Sequence, residues 1–274
     1  VFDRSAPTER HIEYPEYKAQ RDAMPEGIKD ALPYIDALLE AFNIPKLYKD
    51  GFEADDVIGT LAKKAEKKGY KTYMMTSDKD FAQLVSENIF MYRPGNKWQP
   101  TAVWGIPEVL EKFDIARVDQ VVDFLGMMGD SADNIPGIPG VGKKTAQKFL
   151  KQYGSMEGLF ANSHELKGKM KENVVESKEI GLLCKKLATI ITDVPIDLDE
   201  DNLEYEPINK KKLTVLFQEL EFKTLLQRII GDNSIQKTVS TKETSTTEAS
   251  SQSAQFDLFA QEGSPIKSEL NISK

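Results

Sequence analysis

Three acid clusters constrain most strongly what this chain can fold into: Glu53-Ala54-Asp55-Asp56, Asp78-Lys79-Asp80 and Asp130-Ser131-Ala132-Asp133. They place seven carboxylates within 81 residues. Glu53, Asp55 and Asp56 open the apolar-periodic run Val57, Ile58, Leu61, Ala62 and Ala65, whose spacing predicts a helix beginning beside them. Asp78 and Asp80 follow the strand-like Tyr73–Thr76 and precede Phe81 and Leu84. Asp130 and Asp133 are three apart, so one helical turn would put both on one face. Capping accounts for one or two acids at a helix start. It does not account for three clusters at strand-to-helix junctions, which in an open α/β sheet share the edge where ligands bind. Gathered carboxylates repel one another unless cations lie among them. A hard oxygen set without neighbouring His or Cys suits Mg²⁺ or Mn²⁺ better than zinc.

The periodicity around the clusters predicts the architecture. Residues 26–43 read as a helix with Ile28, Leu32, Ile35, Leu38, Leu39 and Phe42 on one face, ended by Pro45. Short strands are expected at Lys46–Tyr48, Lys71–Thr76 and Ile89–Tyr92, with helices between them. That alternation gives an α/β fold with a parallel central sheet flanked by helices. Residues 107–128 read as helix in two pieces. More helix follows at 155–192, with a short strand at Ala188–Ile191, and helices at 209–219 and 222–230 close the globular part. The expected organisation is an α/β core over 1–134, a helical subdomain over 135–232 and a linker over 233–274. That last stretch is rich in Ser, Thr, Gln and Glu and holds too little apolar surface to offset its ordering entropy.

Composition narrows the function classes. Forty per cent of the 274 residues are hydrophobic, enough for a sizeable core. Net charge is −8, which at first argues against a nucleic-acid partner. Two divalent ions among the acids would bring it to −4, and the local sign decides binding. Cys184 is the single cysteine, set in a helical pattern with Leu182, Leu183 and Leu187, so it reads as a core residue and no internal disulfide can form. That fits a reducing, cytoplasmic setting. No apolar run is long enough to span a membrane. Val1-Phe2-Asp3 reads as the end of a buried strand, so the chain is expected to be part of a longer protein.

A second motif is Ile135-Pro-Gly137-Ile-Pro-Gly140-Val-Gly142-Lys143-Lys144-Thr145, a hairpin leading into a helix. Its glycines allow tight turns and close approach of a partner. N–H groups at the helix start suit phosphate oxygens, and Lys143, Lys144, Lys148 and Lys151 add charge with no acid between Gly137 and Lys151. This pattern resembles the helix–hairpin–helix class, which grips a duplex backbone without reading bases. The plain alternative is a Gly/Pro connection with a solvated lysine face. Residues 5–25 interleave Arg10, His11, Tyr14, Tyr17, Lys18 and Arg21. They could stack on single-stranded bases or equally form a surface helix.

Taken together, Phe52-Glu-Ala-Asp-Asp56, Thr76-Ser-Asp-Lys-Asp80, Gly129-Asp-Ser-Ala-Asp-Asn134, Gly137-Ile-Pro-Gly-Val-Gly142 and Glu16-Tyr-Lys-Ala-Gln-Arg21 resemble the 5′ nuclease family. This is the 5′→3′ exonuclease or flap endonuclease domain at the N-terminus of bacterial DNA polymerase I. The resemblance covers residues 1 to about 232. It implies two Mg²⁺ or Mn²⁺ ions held by Asp3, Glu53, Asp55, Asp56, Asp78, Asp80, Asp130 and Asp133, with Asp78 near both. It implies that Arg10, Lys18 and Arg21 steer the scissile phosphate, with Tyr14 and Tyr17 beside the 5′ strand. Gly137, Gly140, Gly142, Lys143, Lys144, Thr145 and Lys148 would hold the downstream duplex, with a K⁺ on the hairpin carbonyls. Two departures stand out: a family Asp on an earlier strand would lie upstream of Val1, and Glu9 stands where many members carry Phe.

The implied chemistry is phosphodiester hydrolysis at a 5′ end or flap, including RNA primer–DNA, in the bacterial nucleoid. One ion would generate the nucleophile and the other would stabilise the leaving oxygen. A polymerase domain is expected to follow Lys274. Gln255-Phe-Asp-Leu-Phe259 resembles the short peptide that binds the sliding clamp. The rival readings are a branched-DNA-binding module without chemistry and, less well matched, a PIN-type ribonuclease lacking the basic hairpin.

Overall fold

A computed structural model describes residues 1–4, 6–97 and 99–231, so Gln255–Phe259 lies outside the described residues. The helices are α1 (Glu9–Glu13), α2 (Glu26–Ala41), α3 (Ala54–Lys67), α4 (Ile106–Phe113), α5 (Gln120–Met128), α6 (Lys143–Tyr153), α7 (Met156–Ala161), α8 (Gly168–Glu176), α9 (Lys178–Ala188), α10 (Lys210–Glu219) and α11 (Lys223–Ile230). The strands are β1 (Thr72–Met75), β2 (Ile89–Arg93) and β3 (Ala102–Trp104).

α3 forms where the periodicity predicts, and it buries Val57 and Ala62. β1 pairs with β2 in parallel, Met74 opposite Met91, through a crossover that contains a 3₁₀ turn at Lys79–Leu84. β2 then pairs with β3 in antiparallel fashion, Met91 opposite Trp104, so the sheet is mixed. β3 is too short for a periodicity signal. The strand expected at Lys46–Tyr48 does not form. One bond, Phe2 N–H to the Leu47 carbonyl at 3.0 Å, joins that stretch to the chain start, and no ladder builds on it.

The main core is continuous from Tyr17 through Ile89, Phe124, Leu150 and Leu159 to Ile190, and it crosses the expected boundary at 134/135. The reason is α5, whose Gly126 lies against Lys185 of α9. A Cβ at Gly126 would come within 2.7 Å of the Lys185 Cα, so only glycine permits that approach. A second, smaller core joins Ala41 of α2 to Leu213 and Phe217 of α10 and Leu226 of α11. The predicted apolar face of α2 is therefore half used. Leu38 and Phe42 pack into this second core, while Ile28 is 50% exposed.

The strand expected at Ala188–Ile191 does not form: Ala188 ends α9, and 189–191 run on without a ladder, their backbone met by side chains. Arg10 donates from Nε to the Leu187 carbonyl at 3.1 Å and from Nη2 to the Thr189 carbonyl at 2.6 Å. Gln83 Nε2 donates to the Ala188 carbonyl at 3.0 Å, and its Oε1 accepts from Ile190 N–H at 2.9 Å. Thr60 Oγ1 accepts from Val194 N–H at 3.1 Å. Asp56 Oδ1 accepts from Ile191 N–H at 2.8 Å.

Arg10 and Asp56 also meet directly, in two parallel bonds of 2.7 Å each, both side chains buried. The Arg10 guanidinium is opposed by burial but held strongly charged by Asp56 and Glu53. Removing it leaves a buried carboxylate without its counter-charge. Arg10→Ala is expected to destabilise the chain by ~3–5 kcal/mol, read as a fall in the urea midpoint. Arg10→Lys, which cannot form the two-pronged contact, should recover only part of that. A midpoint unchanged in Arg10→Ala would show that the pair does not anchor the fold.

Candidate active site and nucleic-acid interface

The acids at the helix and turn starts do come together, in two overlapping groups. At the α3 N-terminus, Asp3 Oδ1 accepts from the Ala54 N–H at 2.7 Å. The carboxyl of Asp55 is pushed up to about 7, first by burial and then by Asp78, Glu53 and Asp3, with Lys18 opposing. The carboxyl of Asp80 is pushed up to about 6, again first by burial, with Lys79 opposing and Asp78, Asp130 and Asp133 reinforcing. Asp78 is common to both groups. It starts the 3₁₀ turn, accepting from Asp80 N–H at 3.0 Å.

Cations thread this arrangement. Lys18 Nζ donates to Glu53 Oε1 at 2.8 Å and lies 3.9 Å from Asp133 Oδ2. Arg21 pairs with Asp133, and Lys79 pairs with Asp130 while standing 3.6 Å from Asp80 Oδ1. Burial would raise Asp130, but the Lys79 ammonium outweighs it and holds the carboxyl low. Lys79 has no role in the sequence reading. Its signal was a single base between two acids in Asp78-Lys79-Asp80. Tyr17 is buried, and its hydroxyl donates to Glu53 Oε2 at 3.2 Å and to Asp133 Oδ2 at 3.4 Å. Burial and those two acids raise the phenol, so it stays a donor. Tyr14 packs against the main core, and Asp130 and Asp133 lie in a closed turn rather than a helix.

Two of the expected ligand-side roles change. Asp56 is buried with no exposure, and its oxygens are taken by Arg10, Glu53 N–H at 3.2 Å and Ile191 N–H. Arg10, expected to steer phosphate, is spent on the same contact and on two carbonyls. In this structure the two side chains are turned to each other and to the backbone of 187–191.

The remaining acids suit a hard divalent cation by donor type, all oxygen. Asp80 Oδ1 is buried with no hydrogen-bond partner, and the Lys79 ammonium at 3.6 Å is the cation that stands beside it. Among the described residues, no three acidic side chains converge closely enough to form a ready-made metal cage. The lysines and Arg21 share out the carboxylates instead.

The hairpin divides similarly. Gly137 and Gly129 stand back to back at φ of +69° and +74°. A Cβ on Gly137 would meet the Gly129 nitrogen at 2.6 Å. Gly137 is buried and donates its N–H to Cys184 Sγ at 3.3 Å, so its role is closure of the turn rather than contact with a duplex. Gly140 and Gly142 are exposed, as are Lys143, Lys144 and Lys148 at the start of α6, while Thr145 is half-buried. The N–H groups of Lys143 and Lys144 meet no acceptor among the described residues. Lys151 pairs with Asp114 at 2.6 Å.

The acid groups on the α/β core thus lie next to a glycine hairpin that leads into a lysine-bearing helix start. A family model described as the 5′-3′ exonuclease N-terminal resolvase-like domain matches residues 1–114, and one described as the 5′-3′ exonuclease C-terminal SAM fold matches residues 116–211. The chain belongs to the 5′-3′ exonuclease family. It is 40% identical to the DNA polymerase I of Bacillus subtilis over 234 residues, 85% of this chain and 26% of that protein. It is 39% identical to a 5′-3′ exonuclease of Aquifex aeolicus over 229 residues, 84% of this chain and 76% of that protein. The chain thus spans about a quarter of the DNA polymerase I relatives that it matches. The fold is also that of a T5 5′-exonuclease with bound zinc, at a TM-score of 0.58 and 21% identity over 77% of this chain and 80% of that one. A bacteriophage T5 flap endonuclease in complex with DNA and metal ions matches at a TM-score of 0.58 and 20% identity over 77% and 81%.

The raised carboxyls make a pH prediction whose sign is the reverse of the usual acid case. Asp55 and Asp80 hold protons in the folded chain that the unfolded chain releases near pH 4. Stability therefore falls as pH rises from about 4 through 7. In EDTA, Asp55→Asn is expected to raise the thermal midpoint at pH 8 and to leave it unchanged at pH 4. Mg²⁺ or Mn²⁺ added at pH 8 should stabilise the wild-type chain. A variant that gains as much at pH 4 as at pH 8 would refute the charge-crowding explanation.

Proposed function

We propose that the chain is the nuclease portion of a DNA polymerase I-type protein, a metal-dependent 5′→3′ exonuclease and flap endonuclease acting on DNA, RNA primer–DNA included. The observation that carries this reading is the crowding of acids at the α3 start, the 3₁₀ turn and the 130–135 turn, where the buried Asp80 Oδ1 has no hydrogen-bond partner and Lys18, Lys79 and Arg21 are drawn in among the carboxylates. That arrangement is costly for folding alone and is relieved by cations. Asp3, Glu53, Asp55 and Asp78 would hold one Mg²⁺ or Mn²⁺, and Asp78, Asp80, Asp130 and Asp133 the other. Bound there, such ions supply an activated water and offset charge on the leaving oxygen.

The chain's own residues then divide the remaining work. Lys18 and Arg21 carry positive charge at the acids, where a phosphodiester's negative oxygens must enter. Tyr17 stays protonated and donates to Glu53 and Asp133, which keeps those carboxylates oriented. The open N–H groups at the start of α6, with Lys143, Lys144 and Lys148, suit the phosphates of a duplex arm. Metal-assisted hydrolysis needs no side-chain nucleophile, so water is the attacking group. Selection is by shape, a duplex bearing a 5′ single strand, because no side-chain arrangement here matches base readout.

A second reading, binding of branched DNA without cleavage, is favoured by one observation: no three described acids converge on a common point. A Mg²⁺-dependent cleavage assay on a 5′-flap substrate separates the two. Cleavage is expected, and Asp78→Ala is expected to abolish it while sparing DNA binding. Binding without any Mg²⁺-dependent cut would establish the second reading. Lys143→Ala combined with Lys144→Ala should weaken duplex binding equally across sequences and reduce the salt slope by about 2. A sequence-selective loss would rule out backbone-only contact.

A further inference from the structure

Residues 16–21 and 131–134 are far apart in sequence, yet they are stitched along their length. Lys18 N–H donates to the Asp133 carbonyl at 3.0 Å, and Arg21 reaches both Asp133 and the Ala132 carbonyl. Two further bonds come from side chains outside the proposed machinery. Gln20 Nε2 donates to the Ser131 carbonyl at 2.7 Å. Asn134 Nδ2 donates to the Glu16 carbonyl at 2.7 Å. These close the seam from opposite ends, one on each side of Tyr17 and Lys18.

The backbone shows what the seam must hold. Lys18 and Asn134 are both left-handed at φ +57°, and they face each other across it. Asn tolerates that conformation, whereas a lysine there is strained and stays only where its surroundings impose it. The 130–135 side is rigid. Asp130 and Ile135 exchange two backbone bonds of 2.8 Å, Asp130 Oδ1 accepts from Ala132 N–H at 2.8 Å, and the turn rests on the Gly129–Gly137 contact. The 16–21 side forms single turns, Ala19 to Glu16 and Arg21 to Lys18, is anchored by the buried Tyr17, and carries the cations.

Resting on the nuclease reading of the site, the geometry points to Asn134 and Gln20 as positioning residues. They clamp the 16–21 segment to the rigid acid turn, so that Lys18 is held in its strained conformation with its ammonium at the acids. Neither side chain meets the reacting phosphate; both act through Lys18 and Tyr17. Asn134 serves twice, as the residue that accepts the left-handed turn and as the donor that ties Glu16.

Trypsin reports the clamp without any need for activity, because it cuts after Lys18 and Arg21 once the segment detaches. In metal-free buffer the wild-type chain should be nicked slowly there. Asn134→Gly keeps the backbone freedom and removes the donor, and Gln20→Ala removes the other. Each should speed nicking by about 2- to 10-fold, the range commanded by one net hydrogen bond, and the double variant should be faster than either. The urea midpoint should fall by no more than that one hydrogen bond implies, and cleavage after the remote Lys169 should keep its wild-type rate. Asn134→Asp keeps shape and turn tolerance but cannot donate to Glu16, so it should behave like Asn134→Gly. Wild-type nicking rates in the double variant, or wild-type behaviour of Asn134→Asp, would overturn the clamp. So would an equal speeding of cleavage after Lys169, which would mark loosening of the whole chain rather than of the clamp.

On a 5′-flap substrate in Mg²⁺, Asn134→Gly should lower the single-turnover rate with little change in substrate affinity. In a Lys18→Ala background it should add nothing. Full additivity would overturn a role through Lys18. A wild-type chain that fails to cut the flap would refute the nuclease reading, while the nicking rates would still decide the clamp.

Discussion

Asp56 is fully buried, and a carboxylate so placed persists only because Arg10 meets it with two parallel bonds of 2.7 Å. From that contact the rest of the arrangement follows. Arg10 lies on α1, Asp56 on the first turn of α3, and both also hold the end of α9 and the stretch after it, 187–191, through its backbone. Three stretches that share no regular hydrogen-bonded ladder are thereby fixed to one point. The N-terminus of α3, which presents Glu53 and Asp55, is held at that point too. A buried ion pair adds little net stability over apolar packing, but it imposes a geometry that apolar contacts would not.

Above this anchor the electrostatics are those of crowding relieved by cations. Asp55 and Asp80 sit where burial and like-charged neighbours oppose ionisation, while Lys18, Lys79 and Arg21 are distributed among Glu53, Asp130 and Asp133. The net charge of −8 therefore says little about affinity for a polyanion, because cations are paired with Glu53, Asp130 and Asp133 at the acid groups themselves. The lysines of the α6 start face solvent elsewhere.

Much of this was legible in order along the chain. The α3 start, the β1–β2 parallel pair, the α6 helix and the burial of Cys184 follow from periodicity and glycine placement. The expected strands at 46–48 and 188–191 do not form, for a common reason. Their apolar alternation is real, but the neighbours that present themselves are side chains or a single amide, so no ladder closes. β3 was missed because three residues carry no period. Asp56 looked like the other acids of its cluster, since nothing local distinguishes a carboxylate that will meet an arginine 46 residues away.

What the sequence determined by itself was the kind of chemistry: hard oxygen donors at element starts, a glycine hairpin with an open helix start, and membership of one nuclease family. Residue type is sufficient for the first two because it sets ligand preference and turn geometry; the family rests on the likeness of whole motifs in order along the chain. What only the tertiary structure decided was which carboxylates face the site and which serve as scaffold, and where each cation rests. It also decided that Gln20 and Asn134 bridge two segments 111 and 118 residues apart. Those outcomes depend on long-range approach and burial, and a carboxylate's role is set by what reaches it in three dimensions.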